Sequence, residues 1–127
     1  MAPDIERIKK RADFLAAAKA GSCARGAVVV QARLRGDEIS LIRAGFTATR
    51  RIGNAVVRNR AKRRLREAAR KLLPDHGVLG CDYVFIARGG TAARDWVRLL
   101  DDVKSALISL AANPVPAPAA PPSPPRS

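Results

Sequence analysis

The chain has 127 residues, a formal net charge of +13 and a pI near 11.4, with two cysteines and one histidine. That size argues for one domain, and that charge speaks to a polyanionic partner rather than to fold. Cys23, Cys81 and His76 do not supply a tetrahedral zinc set, and no apolar run approaches the ~18 residues of a membrane span. The N-terminal stretch from Ile5 to Arg11 is mostly charged and lacks a signal core, so the chain reads as cytoplasmic with reduced thiols.

In chain order, the alanine-rich stretch 12–20 predicts a short helix anchored by Phe14, Leu15 and Ala18 and stopped by Gly21. Residues 27–35, AVVVQARLR, alternate: Val28, Val30, Ala32 and Leu34 take one face, and Val29, Gln31, Arg33 and Arg35 the other. Gly36-Asp37-Glu38 signals a turn, and residues 39–49 resume alternation with Ile42, Ala44, Phe46 and Ala48 together. These two runs predict an antiparallel hairpin. Asn54 suits a helix N-cap, and a helix from Ala55 to about Leu73 is predicted to stop at Pro74, with His76-Gly77 in a surface loop.

Residues 82–88, DYVFIAR, form the most strand-prone segment, and Gly89-Gly90 ends it. Residues 95–110 carry Trp96, Leu99, Leu100, Val103, Leu107 and Leu110 at helical spacing, with Asp101 and Asp102 on the polar side. The order α-β-β-α-β-α predicts an α+β fold: one sheet of three or four strands with the two long helices on one face. The strand after the basic helix is free to run parallel to the one before it. Residues 1–112 form the expected domain, and 113–127, with seven of the nine prolines, read as a disordered tail.

Charge is focused on one segment. From Arg50 to Lys71 there are ten Lys or Arg against Glu67 alone, +9 in 22 residues. Around a helix, Val57, Ala61, Leu65, Ala68 and Leu72 share one narrow arc. Arg58, Asn59, Arg60, Lys62, Arg63, Arg64, Arg66, Arg70 and Lys71 fill the rest, so the cations form a face held outward by the buried stripe. A solvated surface helix interleaves both signs, because like charges repel. A nuclear localisation patch sits more often in a flexible segment, and a membrane-surface helix needs anchors bulkier than Ala61 and Ala68. Nucleic-acid binding explains the face best, and arginine suits it through bidentate contacts to phosphate. Neutralising about six phosphates weakens affinity roughly a thousandfold between 50 and 200 mM salt. Tyr83 and Phe85 share a strand face; they either fill the core or stack bases, and core filling is the simpler role for two of only five aromatics. Periodicity and spacing stop at a basic α+β domain that binds nucleic acid, with a stand-alone ribosomal-type RNA-binding protein and a self-sufficient nuclease as the other readings.

The string from Ala44 to Glu67, AGFTATRRIGNAVVRNRAKRRLRE, goes further: it resembles the signature of the bacterial ribonuclease P protein component. RIKKRADF (7–14) and DYVFIAR (82–88) are similar to that family in order and spacing. The resemblance implies a mixed central sheet in an α+β sandwich with a left-handed β-α-β crossover, as in the second domain of the fifth small-subunit ribosomal protein. It implies the protein subunit of a ribonucleoprotein that removes 5′ leaders from precursor tRNA, with hydrolysis and Mg²⁺ on the RNA subunit. The catalytic RNA is then held by Arg50, Arg51, Asn54, Arg58, Asn59, Arg60, Lys62, Arg63 and Arg66. The leader cleft is formed by Lys9, Lys10, Phe14, Gln31, Arg33 and Thr47. No catalytic or metal-binding residue is expected in the protein, and neither membrane nor DNA is an expected partner. Ala18 and Gln31 stand where the family often has aromatics, which shifts leader binding toward Lys9, Lys10 and Arg33.

Overall fold

A computed structural model describes residues 5–112; the Pro-rich stretch expected to be disordered lies outside them. The elements are β1 (Ile5–Arg7), α1 (Arg11–Ala18), β2 (Gly21–Arg25), β3 (Val28–Leu34), β4 (Ile42–Thr47), a 3₁₀ turn (Arg50–Ile52), α2 (Ala55–His76), β5 (Cys81–Ala87) and α3 (Trp96–Ala112). The sheet has five strands in the order β1-β4-β5-β3-β2. It is mixed: β4 runs parallel to β1 and to β5, and β3 runs antiparallel to β2 and to β5.

The α+β class holds, but the predicted hairpin does not form. β3 and β4 flank β5 instead of pairing with each other. β5 takes the centre because it is apolar toward both faces: Cys81, Tyr83, Phe85 and Ala87 are buried on one side and Val84 on the other. The true hairpin joins β2 to β3 through Gly26-Ala27, where Gly26 adopts φ +49° against the Asp102 carboxylate. The Ala27 N–H donates to Asp102 Oδ2 at 3.0 Å, and Arg94 Nε donates to the same oxygen at 3.0 Å. Asp102 is therefore a bound structural group and not the surface acid that its helix position suggested.

Three layers result. One face of the sheet carries Val28, Val30, Ile42, Ala44, Tyr83 and Phe85 against Leu65 and Leu73 of α2 and Leu99, Val103 and Leu107 of α3. Tyr83 and Phe85 are thus core, as the simpler reading held. On the opposite face α1 packs through Phe14 and Ala17 over Val84 and Ile86. Ala17, not Leu15 or Ala18, is the second anchor: Leu15 is half exposed and Ala18 is exposed.

α2 runs to His76, with Pro74 in its last turn. A proline removes only its own N–H, and the following turn still closes through Gly77 N–H to Leu73 O at 2.8 Å. His76 is accordingly a half-buried helical residue rather than part of a loop.

Candidate nucleic-acid interface

The basic helix is set by its cap and its buried stripe. Asn54 Oδ1 accepts from Val57 N–H at 3.0 Å, which satisfies a donor that the first turn leaves free. Ala61, Leu65, Ala68, Ala69 and Leu73 are the fully buried positions, with Val57 and Leu72 half-buried at the margins. This fixes the rotation of α2 and turns Asn59, Arg60, Arg63, Arg66, Arg70 and Lys71 to solvent. Arg50 and Arg51 lie exposed on the 3₁₀ turn just before the cap.

Not every cation on the helix is free. Arg58 donates to the Gly53 carbonyl at 3.1 Å and so braces the entry to α2. Arg64 donates to the carbonyls of Thr91 and Arg94 and joins α2 to the loop before α3. The Arg66 guanidinium lies 5.6 Å from the centre of the Phe46 ring, at the edge of the sheet.

The leader-cleft residues lie on the α1 side, where the strand register places three rows side by side. Thr47 is beside Ile86 and Val29, Gly45 beside Val84 and Gln31, and Arg43 beside Asp82 and Arg33. The middle row needs a glycine: a Cβ on Gly45 would meet Phe14 Cε1 at 2.5 Å. The Phe14 ring therefore rests directly on the sheet backbone. Lys9 and Lys10 are exposed in the link from β1 to α1.

The third row is an ion-pair network. Asp82 is fully buried and accepts from Arg35 at 2.9 Å and from Arg43 at 2.7 and 2.6 Å. Its hydrogen bond with Asp82 raises the Arg43 pKa further. Asp13 of α1 pairs with both Arg33 and Arg43 at 3.4 Å. Arg33 is thus tied to α1 rather than presented as a free cation. Sequence alternation placed Arg33 and Arg43 on a polar face, and Asp82 within an apolar run was the one signal of the network.

The two sets of predicted residues meet at one edge of the sheet. β1 ends at Arg7, opposite Ala44, which leaves β4 uncovered from Gly45 onward. There a notch of about 100 Å³ is lined by Arg7, Phe14, Gly45, Phe46, Lys62 and Arg66. Phe14 of the cleft and Lys62 and Arg66 of α2 thus share one cavity. A larger groove of about 430 Å³ continues between β1 and α2 past Arg7, Phe46, Arg66 and Arg70. Arg7 was missed from sequence, since a three-residue charged strand has no periodicity to read.

Among the described residues no three His, Cys, Asp or Glu side chains gather as a metal-binding group. The two carboxylates nearest the cleft, Asp13 and Asp82, are held by arginines. This donor set does not fit a resident Mg²⁺, which takes about six oxygens in octahedral array.

The family model described as ribonuclease P matches residues 2–111. The chain belongs to the ribonuclease P protein family. The ribonuclease P protein component of Caulobacter vibrioides is 66% identical over 109 residues, covering 86% of this chain and 73% of that one. That of Ruegeria pomeroyi is 54% identical over 108 residues, covering 84% and 86%. The solved ribonuclease P protein of Staphylococcus aureus superposes with a TM-score of 0.67 at 32% identity, covering 80% of this chain and 91% of that one. The protein from Thermotoga maritima gives 0.66 at 28% identity, covering 82% and 96%. Membership places the chain in ribonuclease P, the tRNA-processing ribonucleoprotein, as its protein component.

Proposed function

We propose that this protein binds the ribonuclease P RNA through the outward face of α2 and the 5′ leader of precursor tRNA on the α1 side of the sheet. The observation that carries this reading is the notch at the edge of β4, where Phe14 meets Lys62 and Arg66. A strand lying along the cleft reaches the basic helix without leaving the protein surface. Arg50, Arg51, Arg60, Lys62, Arg63 and Arg66 supply cations for RNA phosphates, and Asn54, Arg58 and Asn59 sit at the helix entry, whose free N–H groups also favour anions. Lys9 and Lys10 flank the leader, Phe14 offers a ring edge, and Gln31 and Thr47 offer polar side chains on the sheet. Arg33 contributes by holding α1 in place through Asp13.

Hydrolysis belongs to the RNA subunit in this reading, and the Mg²⁺ of the reaction is bound there. The protein's part is to neutralise phosphates brought together when leader and RNA converge, which lowers the demand for divalent counterions. The setting is the cytoplasm, with RNA and no DNA as partner. No helix among the described residues is long and apolar enough to cross a membrane.

The test is reconstitution with the cognate ribonuclease P RNA. Adding the protein at low Mg²⁺ is expected to raise cleavage of precursor tRNA above that seen with the RNA alone. The absence of any gain would overturn the reading.

A further inference from the structure

α2 has a second flank, turned away from the leader cleft. A groove of about 640 Å³ runs there between α2 and the start of α3, lined by Arg60, Arg63, Arg64, Glu67, Ala92 and Trp96. Its floor is fixed. The Arg64 guanidinium is held by the Thr91 and Arg94 carbonyls and lies 5.7 Å from the centre of the Trp96 ring. Its rim is open: Arg60 and Arg63 are exposed and have no hydrogen-bond or ion-pair partner among the described residues. Glu67, the one acid in the groove, is paired with Arg70 at 3.1 Å. Trp96 is only half-buried, and its indole N–H has no acceptor among the described residues. The half-buried indole N–H is a donor open to an incoming acceptor beside the guanidinium groups.

We propose that this groove takes an unpaired nucleotide of an RNA strand, with Trp96 as a contact residue and Arg60 and Arg63 on its phosphates. The inference rests on the RNA-binding reading of α2 and extends it to α3. Phosphate alone has no use for the indole, and an apolar surface has none for three guanidinium groups. A flat π-face beside fixed and free cations matches a base with its own phosphates. Because Arg60 and Arg63 look into this groove while Lys62 and Arg66 look into the notch, the bound RNA straddles the helix.

Trp96 is the sole tryptophan, so its emission reports on this groove directly. The full chain is titrated with ribonuclease P RNA while Trp96 emission is followed, corrected with free N-acetyltryptophanamide, and filter binding is run in parallel. Emission is expected to be quenched saturably, at the same RNA concentration as binding. Trp96→Ala is expected to weaken RNA binding roughly ten- to hundredfold, the effect of losing one base stacked on an aromatic ring. Trp96→Phe keeps most of the affinity, and the preference for precursor over mature tRNA is unchanged in both. Saturable RNA binding with unchanged Trp96 emission would overturn the groove assignment and leave RNA binding by α2 standing. So would a folded Trp96→Ala protein that binds like the wild type. No RNA binding at all would instead overturn the underlying reading. Should Trp96→Ala fail to fold, Ala92→Glu serves, since it puts a carboxylate in the groove and leaves the outward cations of α2 in place: its quench is expected to move to roughly tenfold higher RNA concentration, and a wild-type titration would contradict the groove assignment alone.

Discussion

Gly45→Ala separates the leader cleft from the rest of the protein. The added Cβ would lie 2.5 Å from Phe14 Cε1, 2.6 Å from Phe14 Cζ and 3.4 Å from Ile8 Cδ1. Carbon atoms in contact prefer about 3.5–4.0 Å, so the ring must move by about 1 Å or more. The backbone at Gly45 lies inside β4 and is not among the positive-φ glycines, so strain there adds nothing. The cost is overpacking under α1, about 1–3 kcal/mol, which a cooperative domain of this size is expected to tolerate. The buried stripe of α2 packs on the opposite face, so of its outward cations only Lys62 and Arg66, which border the same notch, are near the change. The assay is equilibrium binding of precursor and mature tRNA to holoenzyme reconstituted with wild-type or Gly45→Ala protein. The account expects precursor tRNA to weaken several-fold, mature tRNA to hold, and affinity for the ribonuclease P RNA to fall less than that for precursor tRNA, since of the α2 cations only Lys62 and Arg66 border the notch that Gly45 lines. Equal weakening of both tRNAs, or no change in either, would refute the assignment of Phe14 to the leader.

Three further outcomes follow from the geometry. Asp82→Asn leaves the side chains of Arg35 and Arg43, 3% and 23% exposed, without their shared carboxylate. Urea unfolding should show a loss of about 3–5 kcal/mol, and a loss below about 1 kcal/mol would contradict the network's role. Tyr83, the sole tyrosine, has its pKa pushed up to about 12 chiefly by burial. A folded-state value above the ordinary value of about 10 gives stability that is present below pH ~10 and lost as pH rises through ~12. Phenolate absorbance should therefore appear together with unfolding at high pH, and phenolate forming near pH 10 in folded protein would contradict this. Asn54→Ala removes the cap of α2 and should cost about 1 kcal/mol in thermal or urea unfolding.

What could be read from the sequence followed from periodicity. α2 was legible because Ala61, Leu65 and Ala68 recur at helical spacing through a basic run, and a stripe that must be buried fixes which side faces out. β3, β4 and β5 were legible as alternating runs, including which residues share a face. Neighbours in the sheet were not. Alternation says which way a side chain points, while pairing depends on long-range packing, and doubly buried β5 displaced the local hairpin between β3 and β4. β1 and β2 were missed because three and five residues rich in charge and small side chains carry too little pattern. For the site, the cations of α2 were legible as a set, but their partners were not. Arg58 looked equivalent to Arg60 and Arg63 until the Gly53 carbonyl was placed beside it, Arg33 looked like a free cation of the cleft until Asp13 was, and Arg64 was one more cation of the basic face until the Thr91 and Arg94 carbonyls were. Trp96 read as one more member of an apolar stripe, and only the fold brings it next to Arg64.

The central claim is that α2 meets the ribonuclease P RNA while the α1 side of the sheet meets the leader. Both native cysteines are buried, so a thiol introduced at an exposed site can be labelled selectively. Arg63→Cys and Lys10→Cys proteins, each carrying a hydroxyl-radical-generating iron chelate, are assembled with the ribonuclease P RNA and precursor tRNA. The account predicts strand cuts in the ribonuclease P RNA from position 63 and cuts in the 5′ leader from position 10. Leader cuts from position 63 together with none from position 10 would contradict it.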